Sequence, residues 1–139
     1  MKLLLTFLLG FIGAKALSQD VWKICLDKKV LLSSSVEDEQ KNVTIISSAD
    51  FAGKKKFIVN YKENPIQKGW QRSILIYDEN DQELERRNVK QLDLSVANLK
   101  ALLNKSRTLK IYTISLPTDP KKQAQVRVRR VHLCTLALQ

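Results

Sequence analysis

Residues 125–138 read "QVRVRRVHLCTLAL", and the phase of this stretch decides the fold. Its first half alternates valine and arginine with a period of two, the period of a strand with one buried face. If Val126 and Val128 face a core, strict alternation carries Arg130 and His132 into it. Burying an unpaired guanidinium is too costly for that. One extra residue at Arg129–Arg130, a β-bulge, resets the phase. Val131 and Leu133 then face inward, while Arg127, His132 and Cys134 face out. Leu136 and Leu138 are left facing out as well, so the strand end requires a second covering surface.

The same period recurs upstream. "VWKICL" (21–26) aligns Trp22, Ile24 and Leu26; "KFIVNY" (56–61) aligns Phe57, Val59 and Tyr61; "WQRSILIY" (70–77) aligns Trp70, Ile74 and Ile76. "KKVLL" reads as a continuation of the first run, and "VTII" and "TLKIYTISL" are further apolar runs of strand length. "DEND" (78–81) has hairpin-turn chemistry, and the charged "QELERRNV" (82–89) after it suits a sheet edge, where charge discourages pairing with other chains. Only "SVANLKALLNKS" (95–106) changes period, with Val96, Leu99, Leu102 and Leu103 at helical spacing behind Ser95 as N-cap. Many short strands and one helix around residues 95–104 predict a mainly β protein, an antiparallel β-sandwich. Its strand order, immunoglobulin-like or jelly-roll-like, is left open.

The chain has 139 residues, enough for one domain. It begins "MKLLLTFLLGFIGAKALSQ": Lys2 as a positive n-region, an apolar run from Leu3 to Ile12, and the small-residue cleavage pattern Ala14-Lys15-Ala16. A secretory signal peptide over residues 1–16 is expected, with a second compatible cut after Ser18, followed by a single sandwich domain over 19–139. The apolar run is too short to span a bilayer, and no later stretch is a transmembrane candidate. A secreted or periplasmic location follows. The full chain carries a formal +10 charge, and loss of Lys2 and Lys15 leaves +8. Such a balance favours polyanionic partners.

Two cysteines in an exported chain suggest a disulfide. Cys25 lies opposite the Trp22 face, and with Cys134 also outward a Cys25–Cys134 bond forms if the first and last strands are neighbours. His132 is the sole histidine, so any Ser-His-Asp or Cys-His pair must use it, and its only nearby nucleophile is Cys134. Two cysteines and one histidine without short spacing are a poor zinc set. "DENDQELERRNV" (78–89) places Glu83 and Val89 where a calcium hand needs glycine and glutamate. Tryptophans on apolar strand faces are expected in the core rather than on a sugar-binding platform.

The chain is therefore expected to be a non-enzymatic binding module without cofactor or metal. It would recognise a protein or an anionic surface or polymer, such as an acidic glycan or lipopolysaccharide, through a basic strand face or loop ends. Export disfavours nucleic acid. The nominated basic residues are Lys54, Lys55, Lys56, Lys121, Lys122, Arg127, Arg129 and Arg130. A structural subunit of a surface fibre, adhesin or coat is the alternative.

Overall fold

The computed structural model describes residues 19–139; the expected leader lies outside the described residues. Nine strands form two packed sheets. They are β1 (Val21–Leu26), β2 (Lys29–Ser34), β3 (Val43–Ile46), β4 (Lys56–Lys62), β5 (Trp70–Tyr77), β6 (Glu83–Arg87), β7 (Gln91–Ser95), β8 (Thr108–Pro117) and β9 (Val131–Leu138). Helix α1 (Val96–Lys105) lies between β7 and β8, and one turn of helix, α2 (Pro120–Gln123), follows β8. The first sheet has the order β2-β1-β4-β7 and the second β3-β9-β8-β5-β6. The sandwich expected from period-two patterning is present. It is antiparallel except that β3 joins β9 in parallel, Val43 to Ile46 running beside Thr135 to Leu138.

The core is built from the predicted faces. Trp22, Ile24 and Leu26 of β1 and Phe57, Val59 and Tyr61 of β4 are buried against Ile74 and Ile76 of β5, Leu109 and Ile111 of β8, and Leu133, Cys134 and Leu136 of β9. The Trp22 indole Nε1–H donates across the core to the Leu133 carbonyl (2.9 Å). α1 closes one end, here the lower one, with Val96, Leu99 and Leu103 buried. Ser95 caps it as expected, its hydroxyl oxygen accepting the Asn98 N–H at 3.1 Å. β7 is an element the pattern did not announce: Leu92 and Leu94 are its only inward side chains, too few to establish a period. The charged strand β6 sits at a sheet edge, as its composition requires. The "DEND" hairpin is held by the Asp78 carboxylate, which accepts the N–H groups of Asn80 and Gln82 (both 2.9 Å).

The opening stretch is corrected in its phase. Residues 127–130 form no strand; β9 starts at Val131. The irregularity lies further on, where Ile111 pairs with Cys134 but Tyr112 pairs with His132. Leu133 is the extra residue, so Leu133 and Cys134 both join the core and His132 turns to the outer face against Tyr112. Leu136 and Leu138 then pack on the core and need no second cover. A bulge inside the apolar half turns Leu133, Cys134 and Leu136 all to the core, whereas one among the arginines leaves Leu136 and Leu138 uncovered.

The same shift removes the disulfide. Cys134 points into the core from the second sheet, whereas Cys25 points outward from the first, and both are free thiols. It also parts His132 from Cys134, which leave β9 on opposite faces.

Candidate functional site

Two of the nominated basic residues pair with the fold's own acids at its surface. The segment 118–130 crosses the outer face of the second sheet. There the Arg130 guanidinium lies over the rings of Tyr77 (4.7 Å) and Tyr112 (4.6 Å) and donates to both Asp81 carboxylate oxygens (2.9 and 3.3 Å). Arg129 pairs with Glu37 at 2.8 Å. Arg130 therefore pins the crossing segment to the sheet by cation–π contact and charge. Lys54, Lys55 and Lys56 stand at the lower end, where the Asp27 carboxylate accepts the backbone N–H groups of Lys55 and Lys56. Those two bonds hold its carboxyl below the usual aspartate range. Lys121 and Lys122 lie on α2, beyond the opposite end of β8. Strand directions place these groups at opposite ends of the sandwich, and Arg127 sits between them on the crossing segment. The nominated set therefore does not gather at one end of the sandwich.

The upper end gathers a different set. β4 ends there, β5 begins there, and β1 enters beside them, with Val21 paired to Lys62. An open cleft of ≈550 Å³ is lined by Val21, Trp22, Lys23, Asn60, Tyr61, Lys62, Glu63, Ile66 and Lys90. Its floor is rigid for identifiable reasons. Trp22 and Tyr61 stack with ring centroids 5.9 Å apart. The Arg72 guanidinium lies 4.1 Å above the Tyr61 ring. Its Nε donates to Glu63 Oε1 (2.9 Å) and its Nη1 to Thr113 Oγ1 (3.1 Å). Lys90 Nζ reaches the other Glu63 oxygen at 3.2 Å from the solvent side. The Tyr61 hydroxyl donates to Asp20 (2.6 Å), and Asp20 also accepts the Asn64 N–H (2.8 Å).

This network bridges the two sheets at the top of the core. Burial pushes the Glu63 carboxyl upward, but the bonds from Arg72, Lys90 and the Gln67 amide outweigh it and hold the group below its ordinary range. Glu63 is thus a fixed anion carrying two cations. Burial, reinforced by the bond to Asp20, raises the Tyr61 phenol, which stays protonated and donating. Lys23, Lys62, Lys90 and Arg72 outnumber Asp20 and Glu63 by two charges, so the cleft is net positive.

None of these residues was nominated from the sequence. One signal was present: Arg72 shares parity with Ile74 and Ile76, so a buried cation with an acidic partner was required somewhere. Trp70 corrects the expectation of two core tryptophans. Its parity is right, but it lies beyond the layer closed by Arg72 and Glu63 and is 38% exposed. Among the described residues no three His, Cys, Asp or Glu side chains converge as a metal site, and no helix is long and apolar enough to cross a membrane. Compared with known proteins, the chain matches no family model, no curated protein and no solved structure.

Proposed function

We propose that this chain is an exported, non-enzymatic binding module whose binding end is the upper end of the sandwich, and that its partner is anionic. The observation that carries the proposal is the meeting of Lys23, Lys62 and Lys90 on one cleft beside the exposed apolar side chains of Val21 and Ile66. Lysines around a partly desolvated concavity attract and orient anions. The Trp22–Tyr61–Arg72–Glu63 stack beneath them supports pre-organisation, since a floor already ordered loses little entropy on binding. Arg129 and Arg130 lie away from this cleft, each beside its own acid.

The test is binding to a panel of polyanions (an acidic glycan, polyglutamate, anionic vesicles) over rising salt. Affinity for the preferred partner is expected to fall with salt. Replacing Lys23, Lys62 and Lys90 together by Gln should abolish it, while Arg129→Gln leaves it intact. Binding by the triple variant at wild-type strength sinks the proposal.

A second reading, a subunit of a surface assembly, has one observation in its favour. β3 is a four-residue edge strand whose Ile45 is 66% exposed, with Val43 exposed beside it. Sedimentation over a range of concentrations separates the two, because only an assembly subunit self-associates without a ligand.

A further inference from the structure

A second cleft of ≈370 Å³ opens at the upper end and shares Lys90 with the first. Trp70 forms part of its wall, and Gln71, Asn88 and Thr118 supply amide and hydroxyl groups beside it. Asn88 is oriented: its Oδ1 accepts the Ser73 hydroxyl at 2.7 Å, which leaves its NH₂ to donate elsewhere. Thr118 donates its hydroxyl to the Gly69 carbonyl (3.1 Å), which leaves its lone pairs to accept. An indole left bare at a strand end, flanked by oriented amide and hydroxyl groups and bounded by a lysine, suits a ligand with one flat apolar face, a rim of hydroxyls and a negative charge.

We propose that this cleft binds a pyranose ring of an acidic glycan. The C–H face of the sugar stacks on Trp70, its hydroxyls bond to Asn88 and Gln71, and a carboxylate or sulfate is held by Lys90 where the two clefts join. The proposal rests on the anionic-partner reading and gives that partner a chemical class. A lipid surface fits less well. The lining carries amides and a hydroxyl, whereas segments that enter a bilayer present apolar tips without polar groups to desolvate.

The experiment titrates the full domain with uronic-acid oligosaccharides and sulfated heparin oligosaccharides, which separate the two anion sources. A neutral oligosaccharide, polyglutamate and phosphatidylglycerol vesicles run in parallel. The chain has two tryptophans, Trp22 lining the first cleft and Trp70 the second, so a ligand-induced fluorescence change that disappears in Trp70→Tyr reports Trp70. The expected result is that an acidic oligosaccharide binds and changes the fluorescence. Trp70→Ala should weaken it about tenfold or more, and Trp70→Tyr should retain most of the affinity. Matched thermal melts show that each variant is folded. Acidic-glycan binding that Trp70→Ala leaves unchanged overturns this inference. Binding confined to polyglutamate or vesicles also overturns it, yet leaves the anionic-partner reading standing. Failure to bind any polyanion removes both.

Discussion

Replacing Arg72 by Met should destabilise the domain more than any surface change, because it strands Glu63. The two side chains are 7% and 2% exposed and 2.9 Å apart. Removing one member of a buried pair leaves the other uncompensated, at a cost of about 3–5 kcal/mol. Lys90 remains 3.2 Å from Glu63 but is itself 47% exposed, so it offsets only part of that loss and the lower figure is the better expectation. For a domain of this size the fall in melting temperature is roughly 10 °C or more. The pH dependence gives a second readout. In the wild type Glu63 titrates below its unfolded value, so its contribution is complete above the unfolded carboxylate pKa and fades as pH drops through the lower folded value. In Arg72→Met burial is opposed only by Lys90 and the Gln67 amide. Glu63 then titrates higher than in the wild type, and protonation relieves the strain. The gap between the two proteins should therefore narrow as pH falls below about 5. The double variant Arg72→Met, Glu63→Leu should recover most of the lost stability, since an apolar pair of similar volume often replaces a buried ion pair at little cost. Thermal and urea unfolding by circular dichroism across pH measure all three. A loss under about 1 kcal/mol, equal at every pH, refutes the account of Glu63 as a buried fixed anion.

Three further outcomes follow from the geometry. His132 is buried with its Nδ1 unpartnered, and burial lowers its pKa despite the nearby acids Glu37 and Glu39. The unfolded chain then takes up a proton that the folded one resists, so stability should decline as pH falls from about 6.5, by at most about 1.4 kcal/mol per pH unit. His132→Gln should flatten melting curves across that window, and an unaltered slope contradicts the assignment. Burial pushes the Cys134 thiol up to about 11, while Cys25 is half-buried on the outer face of its sheet. A thiolate-selective reagent should modify Cys25 first and Cys134 only after denaturation, and a mass two hydrogens short before reduction would show a disulfide instead. Ser95→Ala removes the cap of α1 and should cost about 1 kcal/mol in urea unfolding, with no change meaning that the cap is redundant.

Hydrophobic patterning, by itself, determined the fold class, seven of the nine described strands (β2 reads as a continuation of β1, and β7 is not announced) and, where the period turns helical, α1 with its capping serine. Those features depend on which side of the chain is apolar, and that is written locally. Which strands pair, and where a phase slip falls, depend on contacts between distant residues. The bulge at Leu133 lies opposite Ile111 and Tyr112, and that one slip puts Cys134 in the core while His132 stays on the outer face, as expected. The site was hidden for the same reason. Lys23, Lys62 and Lys90 are scattered in sequence and meet only because β4 lies between β1 and β7. Clustered cations such as Arg129 and Arg130 are conspicuous in sequence, yet the acids that neutralise them, Glu37 and Asp81, are brought there only by the tertiary structure.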